Sequence, residues 1–143
     1  MLEQCRYQMV VAVRFADMDA MGHLNNAKYL TYCEQARIEY MRDVCAWQNH
    51  DPQGQGMILA RTEIDYRQPI TLADRVVVHL RVIRLGNKSF EMAYLITRQH
   101  GDDAPAISAE VKSVQVCYDY ATEQTISIPV EWRERISAYE PAL

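Results

Sequence analysis

The chain has 143 residues and a formal net charge of −4 at pH 7, which suits one domain, over residues 1–143, with a substantial hydrophobic core. The acidic balance disfavours a general nucleic-acid binder. The longest apolar run is too short to span a membrane, and the N-terminus lacks the basic and apolar segments of a signal peptide. We therefore expect a cytoplasmic globular protein.

The first half of the chain predicts a strand followed by a long helix. Apolar and polar residues alternate over Tyr7–Arg14, a pattern typical of a strand. Apolar residues at helical spacing then predict a helix from about Asn26 to Val44 with one broad apolar face that suits packing on a sheet. Either Asn25 or Asn26 can cap this helix, because both side chains can accept a hydrogen bond from an amide of the first turn.

Two further expectations concern side-chain pairing and a loop. Glu34 and Arg37 are three residues apart on the predicted helix, so their charges can pair. The segment from Trp47 to Gly56 contains glycine and proline and has no periodicity. We expect it to form a flexible loop, which is either a lid over a pocket or a plain connector.

The second half of the chain is rich in strands. The patterns lie at Ile58–Arg67, Val76–Ile83, Phe90–Ile96 and Ile107–Tyr118. Gly86 and Asn87 predict a tight turn, and a change of apolar phase near Lys112 and Ser113 predicts a β-bulge or a bend. Ile128 and Pro129 then begin a short C-terminal helix.

This order of elements indicates an α+β fold. Consecutive strands joined by short turns favour an antiparallel sheet. We expect a curved five-stranded antiparallel sheet wrapped around one long central helix. The edges of such a sheet remain exposed unless another subunit pairs with one of them.

The stretch between the first strand and the helix is rich in reactive and turn-forming residues. Its members are Asp17, Asp19, Gly22, His23, Asn25 and Asn26. A helix N-terminus offers unpaired amides and a partial positive charge, and each amide can stabilise a developing acyl oxyanion by about 3 kcal/mol. A nearby carboxylate can activate water or attack the carbonyl itself, and a glycine allows a ligand to approach the backbone closely. The pattern alone also fits turn and cap chemistry, and it does not distinguish the two aspartates.

The spacing of the cysteines and histidines gives no sign of a disulfide, a catalytic cysteine or a metal site. The four cysteines form no CxxC pair, so we expect free thiols. A catalytic cysteine would need a histidine and a third group nearby, which spacing does not reveal. The four histidines show no HxH, HExxH or HxxxH spacing, so we expect no metal site. We also expect no organic cofactor.

A family resemblance extends over nearly the whole chain. The stretch Arg14–Tyr29 contains D-x-D-x-x-G-H-x-N-N-x-x-Y and is followed by E-Q-A-R. It closely resembles the hot-dog-fold acyl-CoA thioesterases of the 4-hydroxybenzoyl-CoA thioesterase family. The stretch Tyr66–Val76 looks like the family's Y-x-x-P…G-D-x-V segment, with Ala73 in place of the usual glycine, and Gly86–Ser89 looks like its G-x-x-S hairpin.

The resemblance implies a hot-dog fold, hydrolysis of acyl-CoA, and dimers or tetramers with active sites between two subunits. It implies that Asp19 is the catalytic carboxylate, as base or nucleophile, and that the Asn26 amide polarises the thioester carbonyl. Asp17 is then expected to support the loop. His23 has two open roles, either contacting the substrate or its water, or supporting the loop.

Other residues are expected to bind the substrate. Gly22 and Asn25 lie in the loop that approaches the acyl group. Coenzyme A carries phosphates, so basic residues are expected near the pocket mouth, and the candidates are Arg67, Arg84, Lys88 and Arg98. The hairpin resemblance favours Lys88 with Ser89. Two alternatives stay open, a hydratase or dehydratase of acyl thioesters on the same fold, and a non-catalytic acyl- or CoA-binding protein.

Overall fold

A computed structural model describes residues 2–48 and 54–143 and confirms the expected sheet around a central helix. The strands are β1 (Tyr7–Val11), β2 (Gln55–Tyr66), β3 (Arg75–Leu85), β4 (Ser89–Gln99), β5 (Ala106–Asp119) and a two-residue β6 (Gln124–Thr125). The helices are α1 (Asn26–Cys45) and α2 (Val130–Tyr139), with single 3-10 turns at Leu2–Gln4 and Phe15–Asp17. No helix among the described residues is both long and apolar enough to cross a bilayer.

The five long strands form one antiparallel sheet in the order β1-β3-β4-β5-β2. Hairpins join β3 to β4 and β4 to β5, and β6 adds a short pairing to the end of β5. β2 follows α1 and pairs with β5 at one edge of the sheet. Within the described part of the chain nothing pairs with the outer edge of β2.

The core lies between α1 and the inward face of the sheet. Ala36, Tyr40 and Met41 of α1 are fully buried, as are the inward side chains of β3 and β4. Complete burial of a large apolar side chain stabilises the fold by roughly 1.5–3 kcal/mol. The helix ends where Ala46 adopts a left-handed conformation with φ 56° and donates its amide to the Met41 carbonyl.

The loop predicted over Trp47–Gly56 is shorter than expected. β2 already begins at Gln55, so the last residues of the predicted loop belong to a strand. The Trp47 indole donates a 2.9 Å hydrogen bond to the Gln55 carbonyl, which ties the end of α1 to the start of β2. The part of the predicted loop at residues 49–53 lies outside the described residues.

The bulge predicted near Lys112 and Ser113 is wrong. Both residues lie in regular register with β2 and with β4, and the irregularity of β5 falls instead at Ser108, which is skipped between Ile107 and Ala109. The apolar phase misled because Ser113 and Gln115 are polar residues that face the core, where both are buried. Because these inward positions are polar, the alternation pattern assigned the outward valines to the core face.

The predicted pairing of Glu34 with Arg37 is also absent. Glu34 is exposed, whereas Arg37 is 7% exposed and points toward the sheet. Its guanidinium donates a 3.0 Å hydrogen bond to the Tyr94 hydroxyl on β4. The apolar face of α1 therefore includes one charged side chain.

Candidate active site

Asp17 holds the loop between β1 and α1 in place. Its carboxylate is buried and accepts hydrogen bonds from the Tyr32 hydroxyl at 2.7 Å and from the Arg14 amide and guanidinium at 3.2 Å. The Lys28 ammonium lies 3.8 Å away. The Tyr32 hydrogen bond, with those from Arg14, outweighs burial and lowers the pKa of Asp17. These contacts agree with the supporting role expected of Asp17.

Asp19 closes a hydrogen-bonded turn with the backbone of residues 19–23, which we call the Asp19 ring. Its Oδ1 accepts hydrogen bonds from the Met21 amide at 2.9 Å and the His23 amide at 3.1 Å, and its own amide donates to the His23 carbonyl at 2.7 Å. Gly22 has φ +77° inside this ring, a conformation that glycine adopts without steric cost. Among residues 2–48 and 54–143, no donor bonds to the second oxygen of Asp19, Oδ2. That oxygen is therefore available for chemistry.

The N-terminus of α1 presents a free amide at Asn26. Asn25 caps the helix, since its Oδ1 accepts the Ala27 amide at 2.9 Å and its carbonyl accepts the Lys28 amide at 2.9 Å. The Asn26 amide, the first of the helix, has no acceptor in the described part of the chain. A free amide at the positive end of a helix is suited to bind a negatively charged oxygen.

A cleft of about 440 Å³ brings the predicted residues together. Its lining includes Asp19, His23, Asn26 and Arg67, four of the residues predicted for the site. The cleft lies where the loop meets the end of β2, and the Leu24 amide joins the two by donating a 2.8 Å hydrogen bond to the Ile70 carbonyl. The structure therefore assembles a carboxylate and a free amide at one opening.

Tyr66 is a cleft residue that sequence reasoning did not assign to the site. Its hydroxyl donates a 2.9 Å hydrogen bond to the Asn26 carbonyl, and its ring meets that of Tyr29 edge-on at 5.1 Å. Tyr29 is buried and also lines the cleft. The available signal was the inward phase of Tyr66 on β2, which places it opposite the start of α1.

His23 projects its imidazole into the cleft. The backbone of His23 takes part in the Asp19 ring, whereas its exposed side chain forms no hydrogen bond with residues 2–48 or 54–143. The backbone of His23, and not its side chain, therefore holds the loop at this position. The imidazole is left free to meet a ligand.

Lys88 and Ser89 lie away from the cleft in the same protomer. Lys88 lies in the β3–β4 turn and Ser89 begins β4, whereas the cleft lies at the opposite end of the sheet, where β3 starts. An 11-residue strand such as β3 rises about 3.3 Å per residue, so the two regions are separated by about the full strand length. The Lys88 ammonium contacts the Thr125 hydroxyl at 3.4 Å.

The other predicted phosphate-binding arginines already have protein partners. Arg67 donates to Glu110 at 2.7 Å, yet it still lines the cleft. Arg98 donates to the Pro69 carbonyl at 2.8 Å, and Arg84 lies 4.0 Å from a carboxylate oxygen of β4. Of the three, Arg67 is the one that the structure places at the cleft.

The cysteines are unsuited to nucleophilic catalysis. All four are buried, and none forms a disulfide with a residue of the described ranges. Burial raises the pKa of Cys33, Cys45 and Cys117 to about 12, so these thiols are protonated at neutral pH and react poorly. The candidate chemistry therefore centres on Asp19.

Comparison with known proteins gives consistent similarities. Residues 13–136 match the Thioesterase-like superfamily. A thioesterase from Thermus thermophilus, solved in complex with coenzyme A and Zn, is 34% identical over 96% of each chain, with a TM-score of 0.81. The long-chain acyl-CoA thioesterase FadM of Escherichia coli (strain K12) is 26% identical over 129 residues, which are 90% of this chain and 96% of FadM. The 1,4-dihydroxy-2-naphthoyl-CoA hydrolase of Synechococcus elongatus is 25% identical over 126 residues, covering 86% of this chain and 89% of that enzyme.

Proposed function

The chain belongs to the Thioesterase-like superfamily, and from that premise we propose that it hydrolyses acyl-CoA thioesters to a free acid and coenzyme A. The observation that carries the proposal is the free Asn26 amide, which lines the same cleft as the Asp19 carboxylate. Thioester hydrolysis needs a hydrogen-bond donor that polarises the thioester carbonyl and a group that delivers an oxygen nucleophile to the carbonyl carbon. This cleft provides both.

The Asn26 amide donates a hydrogen bond to the thioester oxygen. Negative charge develops on that oxygen as the carbonyl carbon becomes tetrahedral, so the bond strengthens in the transition state. The positive end of the α1 dipole adds to the effect. One such donor contributes roughly 10²–10³-fold to the rate.

Asp19 acts by one of two routes. As a base, it takes a proton from water while the hydroxide adds to the carbonyl carbon, the C–S bond breaks, and the coenzyme A thiolate receives a proton. As a nucleophile, Oδ2 attacks the carbonyl carbon, the C–S bond breaks, and water hydrolyses the resulting mixed anhydride. The His23 imidazole, exposed in the cleft, donates to the substrate or orients the water.

The remaining binding groups lie around the loop and in a second subunit. Gly22 has open space where a side chain would stand, which lets the acyl group approach the backbone beside Asn25, and Arg67 at the cleft offers a charge to the phosphates. If the β2 strands of two subunits paired edge to edge about a two-fold axis, the strands would run antiparallel. The end of one sheet that lies far from its own cleft would then lie beside the cleft of the other subunit. The partner's Lys88 and Ser89 would then approach this cleft, so the proposed active site is interfacial in a homodimer or homotetramer.

We place the enzyme in the cytoplasm and assign it no metal or organic cofactor. Its four cysteines form no disulfide among the described residues, as is typical of proteins from a reducing compartment. The proposed reaction uses water, a carboxylate and backbone amides, and each of these groups acts without a cofactor.

The role of the Asn26 amide can be tested without disturbing the helix. Asn26 is the first helical residue, where proline is well tolerated, and Asn25 has φ −58° and ψ 134°, which suits a residue before proline. Asn26→Pro removes the N–H, whereas Asn26→Ala keeps it. We expect the proline variant to lose roughly 10²–10³-fold in kcat and the alanine variant to stay near wild type.

Equal activity of Asn26→Pro and wild type in a thiol-release assay would contradict the amide's role. The activity itself is tested across acyl-CoAs with short, long and aromatic acyl groups. Hydration of an enoyl-CoA without thiol release, or tight acyl-CoA binding without any turnover, would instead identify a hydratase or a binding protein.

Asp19→Asn tests the carboxylate and separates its two routes. The amide oxygen can still accept the Met21 and His23 amides, so the variant should fold while losing at least about 10²-fold in kcat. In a single turnover of the wild-type enzyme in ¹⁸O-water, label in the Asp19 carboxylate indicates an anhydride, and label confined to the product acid indicates general-base catalysis. Wild-type turnover by Asp19→Asn would exclude both routes.

A further inference from the structure

A second cavity, of about 140 Å³, lies farther along α1 from the cleft. It is bounded by the helix and the inward faces of β2, β4 and β5, and its lining includes Leu30, Cys33, Arg37, Thr62, Tyr94 and Ser113. Asn26, Leu30, Cys33 and Arg37 follow one stripe of α1 at helical spacing. The first of them lines the cleft and the other three line the cavity, so the two spaces follow one another along this stripe of α1.

Polar side chains form part of the wall of this cavity, although it lies against the core. Arg37 donates to the Tyr94 hydroxyl at 3.0 Å, that hydroxyl shares a 3.0 Å hydrogen bond with Ser113, and the Gln115 amide donates to Ser113 at 2.7 Å. The Thr62 hydroxyl and the Gln115 carbonyl oxygen are buried and have no hydrogen-bond partner in the described part of the chain. Thr62 therefore offers the cavity one hydroxyl that the network does not use.

Among residues 2–48 and 54–143, no carboxylate pairs with the guanidinium of Arg37. Only 7% of the surface of Arg37 is exposed. Glu34 lies at the cavity but is exposed, so water screens its charge. A buried charge is costly unless it is paired, and an arginine fork matches the oxygens of a carboxylate better than any other common group.

The spacing between the two spaces limits the length of the ligand. Asn26 and Arg37 are 11 residues apart, which is about 16 Å along a helix that rises 1.5 Å per residue. On β2, Tyr66 lines the cleft and Thr62 lines the cavity, and the two are about 13 Å apart along the strand. Allowing about 3 Å for a hydrogen bond at each end leaves roughly 10 Å between the reacting carbonyl and a group bound at Arg37.

We propose that the substrate's acyl group carries an oxygen at its distal end, a carboxylate or a hydroxyl, which Arg37, Tyr94 and Ser113 bind in this second cavity. The proposal rests on the proposed thioesterase function and specifies its substrate class. The bound oxygen completes the hydrogen bonds of the guanidinium and, if anionic, neutralises it. Burial raises the pKa of the Tyr94 phenol, so the hydroxyl remains protonated and able to donate.

A matched substrate panel tests the proposal on the wild-type enzyme. Octanedioyl-CoA, ω-hydroxyoctanoyl-CoA and octanoyl-CoA have the same chain length and differ in the distal carboxylate, hydroxyl or methyl group. We expect kcat/KM for at least one oxygen-bearing substrate to exceed that for octanoyl-CoA by roughly 10- to 100-fold, the range for a hydrogen bond to a charged group. A preference for octanedioyl-CoA indicates that the natural acyl group ends in a carboxylate, and a preference for ω-hydroxyoctanoyl-CoA indicates that it ends in a hydroxyl. Either preference supports a subsite for a distal oxygen.

Arg37 variants identify the residue responsible. Arg37→Met keeps much of the side-chain volume and removes the charge, so it should abolish the preference, measured as the ratio of kcat/KM for the oxygen-bearing substrate to kcat/KM for octanoyl-CoA. Arg42→Met removes an arginine from the exposed side of α1 and should leave the preference intact. If Arg37→Met does not fold, Tyr94→Phe and Ser113→Ala provide the same comparison, with a smaller loss expected.

The outcomes separate this proposal from the proposed function. Hydrolysis of all three substrates with octanoyl-CoA equal or best would overturn the distal subsite and leave the thioesterase function standing. A preference that survives in Arg37→Met and in Tyr94→Phe would also overturn it. Absence of thiol release from every acyl-CoA tested would overturn the thioesterase function itself.

Discussion

The hydroxyl of Tyr32 donates a 2.7 Å hydrogen bond to the buried carboxylate of Asp17, which lies 15 residues earlier in the chain. This bond ties the loop before α1 to the second turn of the helix. It also gives the two aspartates of the loop different tasks. Asp17 is buried among donors, whereas Asp19 keeps one oxygen open to the cleft.

The first prediction concerns Asp17 and pH. The pKa of Asp17 is lowered in the folded protein, below the unfolded value of about 3.9. Its contribution to stability is therefore present above pH ~4 and is lost as pH falls through the folded pKa. Asp17→Asn should reduce the free energy of unfolding at pH 7 by about 2–4 kcal/mol, because charged donors lose their partner.

Urea unfolding at pH 7 and pH 3 measures this effect. The difference between wild type and Asp17→Asn should shrink at the lower pH, where the wild-type carboxylate begins to protonate. Asp102→Asn, in an exposed turn, is the control and should change stability little at either pH. A difference that is the same at pH 7 and pH 3 would contradict an ionised, stabilising Asp17.

The second prediction concerns Gly22. An alanine Cβ there meets no atom within 4 Å, but the φ of +77° is strained for any side chain, at a cost of about 1–2 kcal/mol. Relief of that strain would shift the ring that positions Asp19, so Gly22→Ala should also lower kcat by about tenfold, as small misplacements of catalytic groups do.

Gly101→Ala is the matched control for this change. Gly101 also has positive φ, at +55°, with open space around it, and it lies in the turn after β4. Thermal unfolding should show similar destabilisation of both variants, whereas steady-state kinetics should show lost activity in Gly22→Ala alone. Equal kcat in the two variants would indicate that the ring geometry does not govern Asp19.

The third prediction concerns the free edge of β2. Ile58 on this strand is 41% exposed, and a lysine on an edge strand opposes pairing with another chain. Ile58→Lys should convert a wild-type oligomer to a smaller species and reduce kcat/KM at least about tenfold, since an interfacial site loses the partner's groups.

Light scattering and kinetics together test this prediction. Val130→Lys, which changes an exposed apolar residue at the start of α2, should leave both assembly and activity unchanged. Full activity in a monomeric wild-type protein would contradict an interfacial site.

Much of the fold was predictable because its signals are local. The helix was predicted to begin at Asn26, where it does, since an apolar stripe and a capping asparagine lie within a few residues of each other. The strand patterns and the turn at Gly86 likewise depend on neighbouring residues. The phase of β5 was predicted wrongly because Ser113 faces the core, and polar residues at inward positions are the exceptions that alternation cannot identify.

The sequence by itself determined the order of elements and the composition of the loop, including the presence of both aspartates before α1. The tertiary structure decided how they differ, because the burial of Asp17 depends on Tyr32, which folding brings from the helix onto the loop. It also decided that Arg37 turns inward to Tyr94, instead of outward to Glu34. The physical reason is the same in both cases. The energy of a charged group depends on burial and on partners distant in sequence, and only the folded chain brings these together.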